Sequence, residues 1–405
     1  MDTVNKEENI FHLSIDQLQE IALSFKEKVF LGLKADDQEI QCLPTYVQPS
    51  MDVIKGKALV LDLGGTNYRA AVVNFEPGNI TIHPENGWKK DLSVMKTEGY
   101  TREKLFREMT DLVDEIHEKE LPIGYCFSYP AQSLPNGDAK LLRWTKGVSI
   151  REMIGQPLGH PLMDYLNNHT DTRYTRVKVI NDTVASLFAG LRRPGYDAYI
   201  GLIVGTGCNM ATFIPAERIE KLDPKYTGRG WIPVNLESGN FYPPYLTAID
   251  DEVDKDSNIP GRQRFEKAVS GMYLGEILKT AFPDIDFEEK LDARKITDML
   301  SYPGIYKDEY IKIARQIYNR SADLVAAALL GMILVLLSYN ENLKRICLTA
   351  EGSLFWSDDK NDKSYKDSVL EKLQELLSVR GYKIQVDILQ MDNANLVGSA
   401  VAALS

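Results

Sequence analysis

Asp62, Gly64, Gly65, Thr66, Asn67 and Arg69 fall within eight residues of one another, at the end of the apolar run Leu59-Val60-Leu61-Asp62-Leu63. Asp62 lies inside that run, where an unpaired carboxylate is costly, so it needs a cation, a metal-bound water or strong donors beside it. Gly64 and Gly65 open backbone conformations closed to other residues, which lets main-chain N–H groups approach an anion closely. Thr66 and Asn67 add side-chain donors, and Arg69 adds charge. A strand–turn–strand of this kind can hold phosphate without a helix N-terminus. A plain β-hairpin turn accounts for the glycines but not for the acid.

A second turn has the same design. Tyr199 to Val204 is apolar and breaks into Gly205-Thr206-Gly207, after which Ala211 to Ile214 is apolar again. Gly-x-Gly alone is a weak signal, but paired with the first turn it reads as a second phosphate clamp. The chain contains no G-x-x-x-x-G-K-[ST], which excludes a P-loop. Asn181-Asp182 follows directly on Val177-Lys178-Val179-Ile180, at the strand end where α/β proteins place ligands. A helix cap there is an equal alternative. Lys146, in Trp144-Thr145-Lys146-Gly147, could reach a phosphate as a mobile point charge or be an ordinary surface lysine. Glu237 and Glu266 suit vicinal hydroxyls, since each carboxylate accepts two short, charge-assisted bonds, although most glutamates are merely solvated.

Residues 13–33 show helical spacing (Leu13, Leu18, Ile21, Ala22, Phe25, Val29), with Ser14 as N-cap. Strands are expected at 58–63, 70–75 and 80–83, a helix at 101–118 and a strand at 123–127. The pattern restarts with strand 177–180, helix 184–191 and the strands of the second turn. Two strand–turn–strand units, at 59–73 and 199–214, suggest related α/β halves facing across a cleft. The remainder is helix-rich, at 262–281, 288–300, 308–340 and 363–379, with strands at 345–349 and 383–389. No low-complexity linker separates the parts.

The 405 residues suggest two or three domains' worth of chain, and 44% apolar with 26% charged residues is ordinary for a globular protein. A net charge of −11 argues against nucleic-acid or anionic-membrane partners. Cys42, Cys126, Cys208 and Cys347 are scattered without metal-site spacing, which favours a reducing, cytoplasmic setting. The first eight residues are acidic and lack the apolar core of a signal peptide. Leu324 to Leu337 is an unbroken apolar run of 14 residues, short of the roughly 20 that span a bilayer, and reads as a buried core helix.

Together the motifs resemble the hexokinase family, the sugar-kinase relatives of actin and the heat-shock chaperone ATPases, over about residues 56–400. Leu-Asp-Leu-Gly-Gly-Thr-Asn-Tyr-Arg, ending at Arg69, is similar to the family's first phosphate loop, and Leu202 to Asn209 to its second. Cys126-Phe127-Ser128-Tyr129-Pro130 through Gly147 resembles the sugar-binding signature, and Val179 to Ala185 the segment of the catalytic aspartate. Asn235-Leu236-Glu237-Ser238-Gly239 and Asn258 to Glu276 resemble the two sugar-binding glutamate motifs, and Glu351-Gly352-Ser353-Leu354 the adenosine-side turn. Two departures stand out. Asn393-Ala394-Asn395-Leu396-Val397-Gly398 replaces a glycine-rich Asp-Gly-Ser-Gly-x-Gly, and Glu351 stands where aspartate is common.

The resemblance implies an α/β protein of two actin-like (ribonuclease-H-like) domains about a cleft. The smaller would comprise 54–181 plus 393–405, and the larger 1–53 plus 182–392. It implies ATP-dependent phosphorylation of the 6-hydroxyl of glucose and related hexoses, the first step of glycolysis, with Mg²⁺. Asp182 would be the general base, Lys146 would offset phosphoryl charge, and Ser128, Thr145, Lys146, Asn181, Asp182, Asn209, Glu237 and Glu266 would bind sugar. Asp62 would hold Mg²⁺ through water. Gly64, Gly65, Thr66, Asn67, Arg69, Gly205, Thr206, Gly207, Gly352 and Ser353 would hold the nucleotide. Expected partners are a hexose and ATP, with no nucleic acid or membrane, in a monomer or homodimer. A sugar-sensing protein that keeps the fold but loses the chemistry is the alternative, yet Asp182 and Lys146 are both present. A chaperone-like ATPase would lack the sugar motifs.

Overall fold

The computed structural model describes residues 9–49, 54–64, 67–91, 93–145, 147–282 and 291–405. The first half of the chain runs α1 (Ile15–Lys34), β1 (Leu43–Pro44), β2 (Gly56–Leu63), β3 (Asn67–Glu76), β4 (Asn79–Asp91), α2 (Arg102–Val113), β5 (Glu120–Phe127), β6 (Ala131–Ser133), β7 (Ala139–Leu141), α3 (Gly159–His169) and β8 (Arg173–Ile180). Next come α4 (Asp182–Gly190), β9 (Ala198–Val204), β10 (Cys208–Pro215), β11 (Trp231–Asn235), α5 (Ala248–Lys255), α6 (Arg264–Val269), α7 (Leu274–Ala281) and α8 (Ala293–Ser301). Finally come α9 (Asp308–Leu337), β12 (Arg345–Glu351), α10 (Tyr365–Val379), β13 (Gln385–Leu389) and α11 (Ala394–Leu404).

Two sheets share one plan. The first has strand order β4-β3-β2-β5-β8, and the second has β11-β10-β9-β12-β13 with the short β1 added outside β11. In each, three antiparallel strands are followed by two parallel ones. The two glycine turns therefore join equivalent strand pairs, β2–β3 and β9–β10. The register sets Asp62 opposite Arg69 on β3 and Cys126 on β5.

The first sheet buries one face under α2 and α3, in a core that includes Leu59, Leu61, Phe106, Met109, Ile123 and Leu162. Its other face, with Ala58, Val60, Val73 and Phe75, meets α4 and α11. The second core gathers β9 to β12 with α1 and α6 to α10. Ser14 caps α1 as expected: its hydroxyl accepts from Gln17 N at 3.2 Å, and Gln17 Oε1 accepts from Ser14 N at 2.8 Å. By length and composition α9 is apolar enough to cross a membrane, but its apolar stretch is packed inside the core.

Several elements differ from the sequence reading. The expected helix over 262–281 is broken into α6 and α7, because Gly271 N leaves the helical pattern to bond Gly205 O at 2.7 Å. Helix α8 starts at Ala293, where Asp292 caps Lys295 N, and residues 288–290 of the expected helix lie outside the described residues. Helix α2 ends at Val113 and α9 at Leu337, while the third strand reaches Asp91. Helix α4 begins at Asp182, earlier than the expected 184–191. The C-terminal segment, to which the sequence reading assigns no element, is α11.

Candidate active site

At the first turn, Asp62 is buried and meets Arg69, whose Nε donates to Oδ2 at 3.0 Å while Nη2 donates to the same oxygen. Burial works against the Arg69 charge, but the Asp62 carboxylate and its hydrogen bonds outweigh it, so the pKa moves up. Arg69 also donates through Nη1 to Asn393 Oδ1 at 3.0 Å. The strand thus answers the demand that its buried acid makes. Gly64 N bonds Asn67 O at 3.0 Å, closing the turn, and Tyr129 donates its hydroxyl to Gly64 O at 3.0 Å. Gly65 and Thr66 lie outside the described residues, as does Lys146.

The second turn is seated against two other site segments. Gly205 N bonds Gly207 O at 2.9 Å, which leaves Thr206 exposed at the tip. Gly352 has φ +108, and a Cβ on it would sit 2.2 Å from Val204 O, so only glycine lets the 351–353 turn approach this closely. Ser353 beside it is exposed. Cys208 N donates to Glu266 Oε2 at 3.0 Å, and a Cβ on Gly207 would lie 2.5 Å from that oxygen. Glu266 is therefore packed onto the second turn.

Glu237 is reached through a chain of amides. Asn209 Nδ2 donates to Asn235 Oδ1 at 2.8 Å, and Asn235 Nδ2 donates to Glu237 Oε1 at 2.8 Å. Asn209 Oδ1 accepts from Ser238 N at 3.1 Å, and Glu237 holds a left-handed φ of 54°. Such backbone at a polar cluster is strained and persists only where neighbours fix it. Asn235 is buried and joins two site residues, yet the sequence reading does not single it out. Its only sequence signal is its place two residues before Glu237.

Asn181 and Asp182 both serve the head of α4. Asn181 is the N-cap, its Oδ1 accepting from Thr183 N at 2.9 Å, and Asp182 is the first helical residue, its Oδ1 accepting from the same N–H at 2.8 Å. At the end of β12, Glu351 accepts from Ser186 Oγ at 2.9 Å. Burial pushes its carboxyl up to about 7, and the charges of Asp182 and Asp62 add to the rise while Ser186 and Arg69 oppose it. The Cys126 thiol is pushed far up, first by burial and then by the Asp62 and Asp182 charges.

A cavity joins the two sheets. Phe127, Tyr129, Val179, Ile180 and Asn181 line it from the first, and Pro44, Thr45 and Asn235 from the second. Ser128 and Thr145 lie on the first-sheet side: Ser128 N bonds Leu63 O at 3.1 Å, and Trp144 packs on Phe127 and Tyr129 next to Thr145. Among the described residues, no three or more His, Cys, Asp and Glu side chains are grouped to hold a metal ion.

Two family models, each described as Hexokinase, match residues 3–191 and residues 199–311 with 308–405. The chain belongs to the hexokinase family. Hexokinase HKDC1 of Homo sapiens is 32% identical over 319 residues, covering 75% of this chain and 34% of that protein. Hexokinase-2 of Homo sapiens is 31% identical over 318 residues, covering 74% and 34%. The chain thus spans about a third of the length of the curated relatives it matches. A hexokinase from Schistosoma mansoni, solved in complex with glucose, superposes with a TM-score of 0.80 at 25% identity, covering 98% of this chain and 96% of that one. The fold is accordingly that of the hexokinases, two actin-like domains about a cleft.

Proposed function

We propose that the chain is an ATP-dependent hexokinase that phosphorylates the 6-hydroxyl of glucose and related hexoses. The observation that carries this reading is the position of Asn181 and Asp182. They head α4 beside a cavity whose far wall holds Asn235, the amide that links Asn209 to Glu237. Asn181 thus shares a cavity with Asn235, and the carboxylate suited to take a proton, Asp182, is the next residue in the chain.

Asp182 acts as general base: Thr183 N–H anchors Oδ1, which leaves Oδ2 to accept the hydroxyl proton. Ser128, Thr145, Asn181, Asn209, Glu237 and Glu266 bind the sugar, and Lys146 offsets charge on the transferring phosphoryl group. Gly64, Gly65, Thr66, Asn67 and Arg69 hold phosphate from the first sheet, and Gly205, Thr206, Gly207, Gly352 and Ser353 hold the nucleotide from the second. Phosphoryl transfer depends mostly on positioning and electrostatics, so closure that expels water belongs to the mechanism.

Mg²⁺ keeps much of its hydration shell and needs only one or two protein carboxylates, which Asp62 at the end of β2 can supply without the grouped acids of a protein-built metal cage. Bound Mg²⁺ would neutralise phosphate charge, with Asp62 reaching it through water. The division into 54–181 plus 393–405 and 1–53 plus 182–392 is part of the proposal, and so is a cytoplasmic setting, which agrees with four free, buried cysteines. A coupled assay over glucose, mannose and fructose with ATP and GTP tests the reading. It expects sugar-dependent ADP formation, fastest with glucose. Brisk ATP hydrolysis that ignores sugar would favour a chaperone-like ATPase instead.

A further inference from the structure

The two departures from the family pattern, Glu351 and the segment from Asn393 to Gly398, meet in space. Three element ends converge there: the last residue of β12, the first turn of α4 and the first turn of α11. With its amide nitrogen turned toward them, Asn395 donates to Glu351 Oε1 at 3.3 Å and to the backbone oxygen of Asp182 at 3.1 Å. Ser186, one turn along α4, donates its hydroxyl to the same Glu351 oxygen at 2.9 Å. Two residues earlier, Asn393 accepts from Arg69 Nη1 at 3.0 Å and donates to Glu85 O at 3.2 Å. Asn393 adopts a φ of 56°, a conformation that asparagine tolerates better than most residues.

The head of α11 therefore grips two things at once. Asn393 holds the arginine that pairs with Asp62 in the first phosphate turn. Asn395 holds the peptide of Asp182 and, through Glu351 and Ser186, the next turn of its helix. From this geometry we infer that Asn395 is a positioning residue for Asp182, with Asn393 as its counterpart for Arg69, so that α11 sets the spacing between the base and the first phosphate turn. The inference rests on the hexokinase reading above.

A structural role alone predicts a small effect. A neutral hydrogen bond adds little to stability, whereas a misplacement of about 1 Å can cost roughly 10² in rate. Asn395→Ala should therefore lower kcat by roughly 10–100-fold. Its KM for glucose should stay within about threefold, and its melting temperature should hardly move.

Asn395→Asp supplies a second readout. Its carboxyl donates only while protonated, and it faces the carboxyl of Glu351 and the backbone oxygen of Asp182, with the charges of Asp182, Asp62 and Arg69 acting on Glu351 from beyond. Its kcat relative to wild type should fall as pH rises from 5.5 to 8, a dependence that Asn395→Ala should lack.

The assay runs on wild type and both variants, with glucose and ATP. A wild type that phosphorylates no hexose overturns the hexokinase reading and this inference with it. An active wild type with an Asn395→Ala variant within twofold of its kcat overturns the inference alone. So does a loss in which kcat and melting temperature fall while KM rises, or an Asn395→Asp profile parallel to wild type.

Discussion

Asp250 and Asp254, both in α5, are buried acids with cations fitted to them. Arg320 donates to both oxygens of Asp250, at 2.7 and 2.8 Å, while Lys267 donates to Asp254 at 2.6 Å and Arg264 lies 3.0 Å away. In both, burial alone would raise the pKa, and the paired cations bring it below the ordinary value. At the cleft floor the ratio is reversed. Among the described residues, Asp62 is ion-paired with Arg69, while Glu351 bonds a serine hydroxyl and an amide and rises to about 7. Burial is common to both places, and the supply of cations differs. The saturated corner holds α5 and α6 together, and so holds Glu266 in place. At the unsaturated floor, burial is met by neutral hydrogen bonds in place of a cation, so Glu351 keeps its proton to a higher pH.

The contrast breaks first at Asp250. Asp250→Ala strands a buried guanidinium and should cost about 3–5 kcal/mol of stability, read from a urea midpoint. Activity per folded molecule should survive. A variant with an unchanged midpoint would mean that the corner carries no more weight than the surface.

Glu237→Gln and Glu266→Gln should each weaken glucose binding by about 1.5–3 kcal/mol, the range for hydrogen bonds to charged groups. Calorimetry with glucose alone measures it, and ATP affinity should hardly move. Unchanged affinity in both variants would place these carboxylates outside the sugar pocket.

The smallest effect belongs to Glu351. Its folded pKa of about 7 lies above the ordinary 4.5, so the folded state binds the proton more tightly than the unfolded one. The stability contributed by this one group is therefore fully present below pH 4.5 and is lost as pH rises through about 7. Glu351→Gln removes that slope. It should be more stable than wild type at pH 8 and no different near pH 4. Parallel melting curves across pH would show that Glu351 is satisfied after all.

Much of this was legible in local sequence. An acid inside an apolar strand had to have a partner, and Arg69 lies across the register from it. Glycine pairs marked both turns, and Ser14 marked the start of α1. What escaped depends on distant contacts. The break between α6 and α7 comes from Gly271 reaching Gly205, which the helical spacing of 262–281 cannot register. Asn393 meets Arg69 from 324 residues away, and Asn395 meets Asp182 only because α11 folds back onto α4. Asn235 was visible only as the first residue of the Glu237 motif, because one asparagine in a strand has no period. Of the Asn181-Asp182 pair, Asn181 is the helix cap and Asp182 the first residue of α4, and a catalytic role for Asp182 belongs to the proposal.

Whether the unsaturated floor does chemistry turns on Asp182. The direct measurement compares kcat for glucose phosphorylation and the Kd for glucose in wild type and Asp182→Ala. Loss of a general base should lower kcat by roughly 10²–10⁴. Glucose affinity should stay within about threefold, because Asn181, Asn209, Glu237 and Glu266 remain. Near-normal turnover in Asp182→Ala would contradict the account and leave Asp182 as a first-turn residue of α4 and nothing more.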